Sequence, residues 1–197
     1  MTKPAHAPRL VLASASPYRR AQLARLNIPF LAVPHACDER ATRDASPDAI
    51  ALSLARDKAL SLVETHPDAH ILGADQVVDL DAQVLGKPGD RAGAVEQLTA
   101  LSGRVHRLLS AVALRRPDGG VETGLDVHEM RMRALTPDEI ARYVEADQPF
   151  DCAGSYKIER LGIALFDAID GDDFTAIEGL PLLTVVSMLR RAGFPVP

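Results

Sequence analysis

The stretch LVLASASPYRRAQL, residues 10–23, decides how the chain is to be read. Its four opening apolar residues suit a short buried strand. Ser16 followed by Pro17 then suits an N-cap and a first helical position, the pairing that starts helices. A strand that gives way to a helix within three residues opens a βα unit, and so an α/β fold. The strand is expected over residues 9–13 and the helix to about residue 26. The same turn carries something that local stability does not ask for. Arg19 and Arg20 fall in the first helical turn, where unpaired amides and the helix dipole are already positive. Ser14 and Ser16 add hydroxyls. An anion at this terminus resolves the conflict, and a capped helix with solvated arginines accounts for the spacing equally well.

Working outward, Ser46-Pro47 repeats the start signal. The helix behind it places Ile50, Ala51, Leu54, Ala55, Ala59, Leu62 and Val63 on one stripe, at spacings of three and four. Residues 71–74 read as a buried strand that ends at Asp75-Gln76. Residues 77–80 and 83–85 flank Asp81-Ala82 as a hairpin. Asp90 caps a third helix. Residues 105–114 and 121–133 form long strands joined by a turn at 117–120, Thr136 to Glu139 is a capping box, residues 161–166 are a late strand, and residues 180–191 close the chain as a helix. Helices and strands are mixed throughout, so one α/β unit with a mixed sheet is expected over residues 1–197.

Composition narrows the function. The 197 residues are 47% hydrophobic and 25% charged, ordinary for a globular protein. A net charge of -5, no Trp and 4% aromatics argue against a nucleic-acid surface, which selects basic patches and stacking rings. Two cysteines, Cys37 and Cys152, make no disulfide framework and suit a reducing compartment. No stretch approaches membrane-spanning length. The expected setting is the cytoplasm, with no membrane partner.

Four further features carry chemistry. Lys58 lies on the apolar stripe; a snorkelling stem is the simpler account of that spacing, and a lysine aimed into a cleft is the functional one. Asp75, at an expected strand end, is placed where open α/β sheets put ligands, and its carboxylate suits a divalent cation or a proton from water. Lys87 is held between Gly86 and Pro88, a rigid place for a phosphate contact. Asp170 to Asp173 lacks the spacing of a calcium loop and reads as an acidic turn. His106 and His128 read as structural, and Cys152 lacks a base partner for nucleophilic work.

Taken in order, Leu12-Ala13-Ser14-x-Ser16-Pro17-x-Arg19-Arg20, Asp38-Glu39, Ala55-x-x-Lys58-Ala59, Gly73-Ala74-Asp75-Gln76, Gly86-Lys87-Pro88 and the 152–157 run CAGSYK resemble the Maf family of nucleoside triphosphate pyrophosphatases. The resemblance implies an elongated mixed β-sheet flanked by helices, similar to inosine triphosphate pyrophosphatases, with two lobes around a central cleft. It implies cleavage between the α- and β-phosphates of a nucleoside triphosphate, a divalent cation (Mg2+ or Mn2+) and a homodimer. On it, Ser14, Arg19, Arg20, Lys58 and Lys87 would hold phosphates. Glu39 and Asp75 would hold the metal, with Asp75 as proton acceptor. The 152–157 run is similar to the branch acting on 7-methyl-GTP, where Tyr18, Gln76 and Glu159 match positions tied to base choice. Methylation at N7 makes guanine a cation, which an aromatic face and a carboxylate both favour. Two positions depart from that branch: Tyr18 stands where Trp is expected and Arg160 where Gly is expected, which sets beside Glu159 a cation able to pair with it and blunt its preference. A dTTP/UTP pyrophosphatase of the same family, and a nucleotide-binding regulator of division or septum formation, are the alternative readings.

Overall fold

The structure is a computed structural model that describes residues 9–37 and 45–197. Among these residues, seven strands form one mixed sheet. The elements run β1 (Leu10–Ala13), α1 (Pro17–Ala24), β2 (Phe30–Val33), α2 (Pro47–Leu60), β3 (His70–Leu80), β4 (Gln83–Leu85), α3 (Arg91–Leu101), β5 (Val105–Arg115), β6 (Val121–Met132), α4 (Pro137–Asp147), β7 (Phe166–Asp170) and α5 (Leu182–Arg191). The strand order is β2-β1-β3-β5-β6-β7, with β4 paired to β3. β1 runs parallel to β2 and β3. The longer strands β3, β5 and β6 are antiparallel neighbours.

Alternation along the strands sorts side chains onto two faces. Leu12, Leu72, Ala74, Val112 and Leu114 meet α5 through Leu182, Val185, Met188 and Leu189. Val11, Ala13, Ile71, Val77, Leu109, Ala111 and Ala113 face Ala51, Ala55 and Ala59 of α2. The α2 stripe is small for a reason that Gly73 shows. A Cβ on Gly73 would lie 2.2 Å from the Ala55 carbonyl oxygen and 2.6 Å from the Ala59 nitrogen. Helix and strand therefore touch backbone to backbone. A third cluster joins the far ends of β3 and β5 to α3 and α4 through Val78, Leu98, Leu101, Leu108, Tyr143 and Tyr156.

The expected caps are present. Ser16, Ser46, Asp90 and Thr136 each accept a hydrogen bond from a first-turn amide, an interaction worth roughly 1 kcal/mol per helix. Two expectations need correction. Asp75-Gln76 does not end a strand: β3 is continuous through it, and Asp75 sits in the middle of eleven residues. Residues 161–166 are not a strand: Leu161–Leu165 forms a short 3-10 turn, and β7 starts at Phe166. The turn follows from Gly162, whose amide donates to the Lys157 carbonyl at 3.0 Å, at an approach that leaves a Cβ only 2.4 Å from the same oxygen.

The polar interruption at Asp75-Gln76 marks a split in the sheet instead. β5 pairs with β3 from Ile71 to Asp79 on one edge. On the other edge β1 pairs with residues 70–72 and β4 with residues 78–80. Among the described residues, no strand covers 73–77 on that edge, and the cleft opens there.

Candidate active site

A cleft of about 770 Å³ lies over the split. Its lining draws Ser16, Tyr18 and Arg19 from the start of α1, Lys58 from α2, Asp75 and Gln76 from β3, and Lys87 from the loop after β4. Glu159, Glu178 and Gly179 complete it from the C-terminal segments. Three expected phosphate ligands (Arg19, Lys58, Lys87), the expected proton acceptor Asp75 and all three expected base-choice residues thus share one hollow. Ser14 lies beneath rather than on it. It is 4% exposed, and its hydroxyl accepts the Ser16 amide at 3.1 Å, shaping the entry to α1. Arg20 lines a different hollow, beside Asn27 to Ala32. Glu39 lies outside the described residues.

Adjacent residues of β3 point to opposite faces, which gives Asp75 and Gln76 different partners. Asp75 shares the α2 face, and its Oδ1 accepts from the Lys58 ammonium at 2.5 Å. Both are buried, at 7% and 3% exposure. A buried ion pair costs desolvation that an apolar pair avoids, so stability does not select it. Its presence on a helix face otherwise given to alanine and leucine points to chemistry. The Gly73 contact helps set the spacing, because it is where the α2 backbone approaches β3 closely.

Gln76 shares the α5 face with its cross-strand partner Ser110. Its amide nitrogen donates to Ser110 Oγ at 3.0 Å, to the Ala176 carbonyl at 2.9 Å and to the Ile177 carbonyl at 3.1 Å. Ser110 Oγ also donates to Ala176. Arg19 Nε donates to the Gly179 carbonyl at 3.0 Å. Residues 176–179 are therefore a strap tied at three points. Gly179 ends it with φ 109°, a left-handed conformation that favours glycine.

The remaining wall is the 151–159 segment. Lys157 is buried, pairs with Asp151 at 3.1 Å and lies 5.9 Å from the centroid of the Tyr18 ring. Burial works against its charge, but the Asp151 and Tyr18 contacts outweigh it and hold the ammonium above the usual lysine range. One cation thus already addresses Tyr18. Burial, with Asp151 beside it, pushes the Cys152 thiol up to about 12, which suits an inert thiol rather than a nucleophile. Burial lowers His106 to about 4, as a neutral ring bonded to the Tyr156 hydroxyl at 3.1 Å. Among the described residues Arg160 pairs with Asp147 at 3.4 Å, not with Glu159. Glu159 stands at the cleft rim with its carboxyl raised, first by partial desolvation and further by the charge of Glu178.

Sequence reasoning missed Glu178. It sits in an apolar run before Gly-Leu-Pro, with no spacing to mark it. It also missed how much of the wall depends on Tyr156, Lys157 and the strap. Asp173 of the acidic turn is buried and accepts from the Thr175 and Leu183 amides, a structural cap.

Among the described residues, no group of three His, Cys, Asp or Glu side chains is placed to hold a metal ion. Asp75 nonetheless brings a hard carboxylate to the cleft. Mg2+ commonly takes one or two carboxylates together with substrate phosphates and waters, so this donor chemistry suits it once a polyphosphate is bound. No helix among the described residues is long and apolar enough to cross a membrane.

A protein named 7-methyl-GTP pyrophosphatase from Xanthomonas axonopodis pv. citri is 50% identical over 190 residues, 96% of this chain and 100% of that one. Another of that name from Alcanivorax borkumensis is 44% identical over 191 residues, 96% and 97% of the two chains. Among solved structures, a HAM1 protein from Coxiella burnetii shares the fold, with a TM-score of 0.52 at 18% identity over 93% of this chain and 99% of that one. The model of the Maf-like protein family matches residues 9–192, and the chain belongs to the Maf family.

Proposed function

We propose that this protein is a nucleoside triphosphate pyrophosphatase that cleaves 7-methyl-GTP to 7-methyl-GMP and pyrophosphate, clearing a modified nucleotide from the pool. The observation that carries the reading is the convergence of Arg19, Lys58, Lys87 and Asp75 on one cleft from four separated parts of the chain. The relatives' name supplies the substrate.

A triphosphate needs compensating positive charge. The start of α1 offers its dipole and Arg19, α2 offers Lys58, and the loop after β4 offers exposed Lys87. These groups orient the chain of phosphates over the split in the sheet. Asp75 takes the proton of the attacking water, the P–O bond bridging the α- and β-phosphates breaks, and pyrophosphate leaves. Lys58, already at Asp75, keeps that carboxylate aimed and balances charge as the proton moves. Asp75, together with Glu39, would hold a divalent cation, which when bound neutralises phosphate charge and makes water more acidic. Positioning and charge stabilisation supply the rest, with no covalent protein intermediate. In this reading the protein acts in the cytoplasm as a homodimer, as its family membership supports; sedimentation of the purified chain checks the dimer.

The test is a panel of nucleoside triphosphates with Mg2+ or Mn2+, read as pyrophosphate release. 7-methyl-GTP is expected to give the highest kcat/KM. Faster turnover of dTTP or UTP would transfer the protein to the other branch of the family. Tight binding without pyrophosphate release would make it a regulator.

A further inference from the structure

Glu178 lines the same cleft as Glu159, from the other side of the chain's C-terminal half. Among the described residues, neither carboxylate takes part in an ion pair or a side-chain hydrogen bond, although cations are near. Lys157 is spent on Asp151 and Tyr18, and Arg160 on Asp147. Glu178 cannot easily turn away, because the strap that bears it is anchored by Gln76, Ser110 and Arg19. Two carboxylates are thus held within each other's field, and the Lys157 charge offsets this only in part, since the Glu159 carboxyl stays raised. Like charges so placed are unfavourable unless a ligand offsets them.

The chemistry of the offset can be specified. One carboxylate suffices for the adjacent N1–H and N2–H donors of guanine. A second is surplus for a neutral guanine, and it repels the carbonyl oxygens of uracil or thymine. It becomes favourable when the base itself carries positive charge, as an N7-methylated purine does. Gln76 adds to this end of the cleft only indirectly, since its amide nitrogen is occupied by the strap and Ser110.

We propose that Glu178 is a specificity-determining residue, which with Glu159 makes the base end of the cleft a dicarboxylate receptor for a cationic purine. The proposal rests on the 7-methyl-GTP reading above and names the group that would discriminate the methylated base from plain GTP.

The experiment compares kcat/KM for 7-methyl-GTP and GTP in the wild type, Glu178→Gln and Glu178→Asp, at saturating Mg2+ and across a Mg2+ series. Glu178→Gln keeps shape and hydrogen-bonding capacity but removes the charge. The 7-methyl-GTP:GTP ratio is expected to fall about 3–30-fold in Glu178→Gln, mainly through KM, and to recover in part in Glu178→Asp. An unchanged ratio in Glu178→Gln, with the wild type still preferring 7-methyl-GTP, overturns this proposal and leaves the function intact. A wild type that does not prefer 7-methyl-GTP overturns the function and this proposal with it. Equal losses on both substrates, or a raised Mg2+ requirement, place Glu178 on the phosphates or the metal and also overturn it. A thermal melt of Glu178→Gln within about 2 °C of wild type shows that the ratio is read on a folded protein.

Discussion

The cleft has two walls of different construction. One is α2 on β3, regular structure meeting at Gly73 with alanines on either side, and it carries the Lys58–Asp75 pair. The other is irregular backbone, residues 151–159 and 176–179, held in place by hydrogen bonds and ion pairs from Gln76, Arg19, Asp151 and Tyr143. The groups on the first wall suit any polyphosphate. Those on the second suit particular bases. The difference teaches where a fold can keep its chemistry fixed and its selectivity adjustable: sub-ångström placement comes from packed backbone, whereas loops pinned by a few polar contacts tolerate exchange of the residues they present.

Four perturbations test that contrast. The largest falls on the first wall. Asp75→Asn is expected to lower kcat about 10²–10⁴-fold while 7-methyl-GTP still binds, in steady-state kinetics with a binding titration beside them. Near-wild-type turnover would falsify the proton-acceptor role. The next falls behind the second wall. His106 is held neutral by burial, its folded value about 4 against the ordinary histidine value of 6.5. Its contribution to stability is therefore present above pH 6.5 and is lost as pH falls toward 4. The loss is about 3 kcal/mol, seen by urea unfolding from pH 7 to 4, and His106→Gln should flatten that part of the profile. Because Tyr156 bonds His106, protection of the 152–157 amides from hydrogen exchange should fall in acid before that of β3. Third, Gly73→Ala should destabilise by roughly 1–3 kcal/mol through overpacking, read as a lowered Tm, and should reduce kcat for every nucleotide alike. A drop confined to one base would contradict the division between the walls. The smallest effect is Lys157→Met, which removes the cation over Tyr18 at a cost of about 0.5–2 kcal/mol. It should change KM between bases more than kcat.

What the sequence disclosed tracks how local each signal is. Ser16-Pro17, Ser46-Pro47 and the Thr136–Glu139 box act within one turn, so the helix starts were placed well, whereas α2 ends at Leu60, before the Leu62 and Val63 expected on its stripe. Arg19, Lys58, Asp75 and Lys87 stood out as charges on apolar faces or tight turns, but it was the family resemblance that grouped them, and the structure places all four around one cleft. The continuity of β3 was not legible. A polar pair inside an apolar run reads as an end, whereas its partners, Lys58 on α2 for Asp75 and Ser110 with the 176–177 carbonyls for Gln76, are brought to it by folding. Leu161–Leu165 was hidden for a different reason: the contact that bends it, the Gly162 amide on the Lys157 carbonyl, is local, but an apolar run with one glycine reads as a strand as readily as a turn. The partner of Arg160 and the placement of Glu178 also depend on segments brought together by folding, and no spacing encodes them.

An unbroken strand has no joint. β3 passes under the whole cleft and is zipped to β5 from Ile71 to Asp79, so its halves cannot swing apart like jaws without tearing nine residues of ladder. Catching a nucleotide therefore falls to exposed side chains at the mouth, Lys87 foremost, above a floor that stays still.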